Sequence, residues 1–201
     1  MLLNPDSAMD RIEENYSLIL AEIRRFALML GAKVVPKPKV SMWMILIPIL
    51  FIFYIYDMQK YKKGRSGFAE HYANTPERAL VEAVAVLREG RPHDIAAIVA
   101  QSDLPAEGRA FLSDIYAALV EHYVSLLEAE GPDWATLIRH VYGNKTNYLL
   151  FLNRLNQLEK QLNQVLLDSM NTPTEGTGDI VRAMEVHSEN LRRGEADLMF
   201  S

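Results

Sequence analysis

From Val40 to Tyr56 the chain reads VSMWMILIPILFIFYIY, seventeen residues without a charge, in which only Ser41 and the two tyrosines are polar. Few environments accept such a run. A core strand is normally much shorter and is bounded by turn residues, which are missing here. A core helix would have to be buried on every side, which a 201-residue protein rarely achieves. A signal peptide places its apolar stretch close to the start, whereas thirty-nine residues precede this one. Lipid is the remaining solvent. Five isoleucines, two leucines and two phenylalanines together favour insertion by roughly 3 to 5 kcal/mol, with no charge to oppose it.

The flanks agree with a membrane segment over residues 40–58. Trp43 stands near one end and Tyr54, Tyr56 and Tyr61 near the other, as interfacial anchors do. Lys37 and Lys39 precede the run, and Lys60, Lys62, Lys63 and Arg65 come after it, all placed to meet lipid head groups. Seventeen helical residues reach about 25 Å, short of the ~30 Å hydrocarbon core. Extension through Met58 with snorkelling lysines closes that gap for a single span. The single span is the leading expectation; Pro48 at the centre, with basic residues on both sides, also suits a re-entrant helix-break-helix as the alternative. In either case the basic stretch over residues 59–67 argues for a cytoplasmic location of the C-terminal domain, residues 68–201.

Charge divides the rest. Residues 1–39 carry six basic and five acidic side chains, whereas residues 68–201 carry eleven basic and twenty acidic ones. So acidic a domain repels phosphate backbones, which excludes nucleic acid as a natural partner. With no cysteine there are no disulfides, iron–sulfur clusters, thiolate zinc sites or cysteine nucleophiles.

The punctuation predicts helices throughout. Ser7, with Asp10 three residues later, caps a first helix that Gly31 ends. Along it Met9, Ile12, Tyr16, Ile19, Ile23, Phe26 and Leu30 recur at alternating spacings of 3 and 4, a heptad seam. That amphipathic helix either packs on the C-terminal domain, lies on the membrane or pairs with a helix of another protein. Pro36 and Pro38 make the stretch after it a stiff connector.

Beyond the membrane segment, Thr75-Pro76 opens a helix to residue 89, Pro92 opens one to about Gln101, and Leu104-Pro105 starts one reaching Gly131. Pro132-Asp133 begins a short helix ending at Gly143, and Asn144 or Thr146 a long one to Met170. The last is expected over residues 179–193, with Gly194 after it. The long helix has its own seam in Tyr148, Phe151, Leu155, Leu158, Leu162 and Val165. That seam serves a bundle core or a coiled-coil contact with the N-terminal helix, a second copy or another subunit. No alternating strand pattern appears anywhere. The expected architecture is therefore all-α, with an N-terminal amphipathic helix, a membrane-embedded helix and an acidic multi-helix bundle.

No catalytic, metal-binding or cofactor-binding constellation emerges. His71, His93, His122, His140 and His187 have no partners at ligand spacing and read as surface or helix-end residues. Gly143-Asn-Lys145-Thr146 matches the end of a phosphate loop only in part, since Asn intervenes and no strand precedes it. Asn15-Tyr-Ser17 and Asn144-Lys-Thr146 match glycosylation acceptors by pattern alone. Two functions fit this pattern. One is a membrane-anchored helical adaptor or accessory subunit that binds a protein partner or itself through the heptad helices. The alternative is a membrane-interface enzyme or lipid-handling protein with a re-entrant anchor.

Overall fold

A computed structural model describes residues 5–34, 69–70, 72–100, 102, 104–169 and 177–201. The apolar run lies outside the described residues, with Trp43, Pro48, Tyr54 and Tyr56 and the basic residues Lys37, Lys39, Lys60, Lys62, Lys63 and Arg65. Of the described residues 89% are helical and none is in a strand, so the chain is all-α. Seven helices are described: α1 (Pro5–Val34), α2 (72–89, with 69–70 also helical), α3 (Ile95–Ala100), α4 (Ala106–Glu128), α5 (Trp134–Tyr142), α6 (Lys145–Ser169) and α7 (Thr177–Met199).

α4 is the centre of the bundle. It packs against α1, α3, α5 and α6, and buries Ile115, Leu119, Leu126 and Leu127. Among the described residues it is the one helix long and apolar enough to cross a membrane, and half of its most apolar stretch is buried inside the bundle. Contact with four other helices accounts for that composition without lipid.

α1 joins the same core, contributing Ile12, Ile19, Ile23 and Ala27 to one hydrophobic cluster with α4, α5 and α6. Its heptad residues Ile12, Ile19, Ile23 and Leu30 are buried, Tyr16 and Phe26 are half-buried, and only Met9 is exposed. α1 and α2 run antiparallel, since Glu13 pairs with Arg88 at 2.5 Å and Arg24 with Glu77 at 2.8 Å. The C-terminal end of α1 and the start of α2 therefore lie at the same end of the bundle, and residues 35–68 leave and return there.

Asn15 joins α1 to α4. Its side-chain nitrogen donates toward the carbonyls of Leu126, Leu127 and Ala129 at 3.2, 3.1 and 2.9 Å. These belong to the last turn of α4 and its C-cap, where carbonyls lack the partner four residues on that the helix interior supplies; the Leu126 carbonyl also accepts from the Ala129 amide at 3.2 Å. At 3% exposure Asn15 is sealed in the core, so the glycosylation pattern Asn15-Tyr-Ser17 offers no accessible acceptor in the folded protein.

Several boundaries differ from the sequence expectation for identifiable reasons. α1 runs through a buried Gly31 to Val34, because its last turn is still in the core. Thr75-Pro76 lies inside α2 and does not open it. α7 passes Gly194 and continues to Met199, because Ala196 and Met199 are buried and Arg139 donates to the Met199 carbonyl at 2.7 Å. The α5 signals act where the sequence places them. Asp133 accepts from the Thr136 amide at 2.8 Å, and Gly143 takes φ 70° to turn the chain. Asn144 then caps α6 through the Asn147 amide at 2.9 Å.

Replacing Asn15 by Ala removes the side-chain donor from the Leu127 and Ala129 carbonyls. Urea unfolding of Asn15→Ala is expected to show a loss of about 1–3 kcal/mol, while Ser17→Ala on the exposed face changes stability little.

Candidate functional site

α1 and α6 each pack on α4 and on α7, yet among the described residues they do not pack on one another. The two heptad stripes thus do not form a two-helix seam. Between them lies a cavity of about 480 Å³, within the usual range for a small-molecule site. Ile23 and Phe26 of α1 line one side, and Phe151, Leu155 and Leu162 of α6 the other. Ile115, Leu119 and Tyr123 of α4 line it as well.

The cavity has a closed and an open end. The buried α6 residues Tyr148, Leu152, Leu155 and Asn156 all fall in the first half of that helix, where the Tyr148 ring lies 6.1 Å from that of Phe200, tilted by 41°. Further along, Leu162, Asn163 and Leu166 of α6 and Met184 and Glu185 of α7 line the cavity and are only half-buried. α6 and α7 are antiparallel there, Lys160 pairing with Glu189 at 3.0 Å and Asn163 with Glu185 at 3.0 Å. Asn15 fixes the N-terminal part of α1 at the α4–α5 corner, so α1 runs toward the open end, as α6 does. The open end is therefore the end at which residues 35–68 join the bundle. Of the α6 seam, Tyr148 and Leu155 are buried, while Phe151, Leu158, Leu162 and Val165 are half-buried.

One wall is polar. Arg192 on α7 is buried, and its guanidinium makes two parallel bonds to Glu159, both at 2.7 Å. It also donates to Asn156 and, at 3.1 Å, to the Tyr72 hydroxyl, and it sits 5.6 Å from the Phe26 ring centroid. Burial works against the charge, but the Glu159 carboxylate more than offsets it, so the guanidinium stays protonated. Next to this group, Arg25 is shared by two carboxylates, Glu22 and Glu195. Burial lifts the Glu195 carboxyl above the ordinary glutamate range, an effect that Arg25 only partly opposes.

His122 also lines the cavity, and here the structure corrects the sequence reading of it as a surface or helix-end residue. It is buried in mid-α4, stacked on Phe151 at 4.4 Å, with Nδ1 2.7 Å from the Tyr142 hydroxyl. Burial pushes its pKa down to about 3, so the ring is neutral. The indole N–H of Trp134, edge-on to that ring at 6.3 Å, is buried and finds no acceptor among the described residues.

Among the described residues the other histidines, His93, His140 and His187, do not line the cavity. His140 contacts the Glu130 carbonyl at 3.2 Å, and His93 is exposed. No group of three His, Asp or Glu stands together to hold a metal ion among the described residues. Lys145, in the partial phosphate-loop match, is paired with Asp197 at 2.7 Å.

Glu159→Gln strips a buried guanidinium of its counter-charge and is expected to lose about 3–5 kcal/mol in urea unfolding, most of it recovered in the double variant Glu159→Leu/Arg192→Met. The unfolded chain protonates His122 near pH 6.5, whereas the native chain waits until about 3. Stability from this residue is thus fully present above pH 6.5 and falls on acidification, by up to about 1.4 kcal/mol per pH unit. Thermal unfolding between pH 7.5 and 5 is expected to fall more steeply in the wild type than in His122→Gln.

No protein-family model, curated protein or solved structure matches this chain.

Proposed function

We propose that this chain is a lipid-handling protein of the membrane interface, which receives the apolar part of a membrane amphiphile in its helical bundle. The observation that carries the reading is the cavity, apolar on most of its wall and open at the end where residues 35–68 join. The lipid-preferring run Val40–Tyr56 lies in that connection, so the opening and the bilayer are brought close.

The same arrangement favours a re-entrant anchor. A single crossing would leave α1 on the opposite side of the bilayer from α4 and α7, against which it packs. A segment that turns at Pro48 and returns keeps all seven helices on one side. Each arm of eight residues, 40–47 and 49–56, reaches about 12 Å as a helix, enough to enter one leaflet but not to cross ~30 Å of hydrocarbon. Lys60, Lys62, Lys63 and Arg65 then favour the cytoplasmic face for the bundle.

A second reading, an adaptor or accessory subunit, draws support from apolar side chains left in water. Leu150 is 63% and Leu198 77% exposed, on α6 and α7 respectively. Recovery of a stoichiometric protein partner that Leu198→Asp abolishes would favour it.

The chain has no cysteine, so single cysteines at positions 2 and 201 can be probed separately with an impermeant maleimide in sealed vesicles. Both are expected to react from the same side, and labelling from opposite sides would overturn the re-entrant anchor. Native mass spectrometry of the full chain released from membranes is expected to retain a bound apolar molecule. Leu155→Trp, which fills the cavity, is expected to lose it.

A further inference from the structure

The charges around the cavity select among amphiphiles. Of the described residues that line it, Glu22, Glu159, Glu185 and Glu195 are acidic and only Lys160 and Arg192 are basic. Both cations are already engaged, Arg192 by Glu159 through two bonds and Lys160 by Glu189, a carboxylate it shares with Arg193. The nearby Arg25 is divided between Glu22 and Glu195. Glu185, at the open end, hydrogen-bonds the Asn163 amide, which carries no charge. An anionic head group entering at the open end meets the Glu185 carboxylate, and the cations near it are already paired with carboxylates. A cationic head meets an acceptor at Glu185 and relieves the excess negative charge further in.

We propose that the cavity takes an amphiphile with a positively charged head, its alkyl part against Leu119, Phe151 and Leu155 and its head at Glu185. The inference rests on the lipid-handling reading, and names the class of ligand that the cavity prefers. One further observation fits it. The acidic C-terminal region, with eleven basic and twenty acidic residues, extends the same preference beyond the cavity.

The test uses the full chain in lipid nanodiscs and three photoreactive decyl probes of equal chain length. Their heads are trimethylammonium, hydroxyl and sulfonate, and labelled peptides are read by mass spectrometry. Labelling of residues 40–56 serves as the internal reference for how much of each probe enters the bilayer. Labelling of the peptide holding Phe151, Leu155 and Leu162, divided by that reference, is expected to be about tenfold higher for trimethylammonium than for sulfonate, with the alcohol between. Glu185→Gln, which keeps an acceptor for Asn163, is expected to narrow the gap several-fold. Sulfonate labelling equal to or above that of trimethylammonium overturns the head-group preference while leaving the lipid-handling reading intact. Absence of cavity labelling by all three probes, with residues 40–56 labelled, overturns the lipid-handling reading itself.

Discussion

A guanidinium buried among helices imposes a demand that the surrounding chain has to meet. Arg192 meets it with Glu159 and Asn156 from α6, the Tyr72 hydroxyl from α2 and the Phe26 ring from α1. Four helices are thereby referenced to one planar, directional group. Hydrophobic contact alone is tolerant of sliding by a turn; a two-bond carboxylate–guanidinium pair is not. The network lies in the wall of the cavity, so the register it enforces also fixes the shape of the space beside it.

That space exists because α1 and α6 lean on the same two helices without closing on each other. Both carry apolar stripes wider than α4 and α7 can cover. In an ordinary bundle such stripes would meet. Held apart, they leave an interior with apolar walls and with carboxylates distributed from Glu195 to Glu185. A ligand there feels two effects of opposite character, a non-directional preference for hydrocarbon and a charge bias against anions.

Much of the helical pattern was legible because it is written locally. Asp133, Gly143 and Asn144 act through neighbours three or four residues away, and a linear reading finds them. The heptad stripes were visible too, but not what each would touch, since spacing describes one face of one helix. Asn15 looked like part of a glycosylation triplet, and nothing near it indicates that its amide serves α4 carbonyls more than a hundred residues on. Arg192 and Glu159 were likewise two unremarkable charges on separate helices. His122 is different, because a signal was present. It falls in the stripe Ile115, Leu119, His122, Leu126, spaced 4, 3 and 4, and that places it in the core. α7 runs past Gly194 because burial of Ala196 and Met199 outweighs one glycine, whose helix penalty is only about 1 kcal/mol.

The distance along the chain between α1 and its partners has a consequence for synthesis. Asn15 waits for carbonyls 111 to 114 residues downstream, and Arg25 for a carboxylate 170 residues away. At ordinary translation speeds that delay is on the order of ten seconds. Through it the first helix has left the ribosome with Ile12, Ile19, Ile23 and Leu30 uncovered, while the apolar run Val40–Tyr56 comes directly behind. A nascent chain in that condition needs shelter for its greasy stripe, from a chaperone or from the bilayer surface, until the last helix is made.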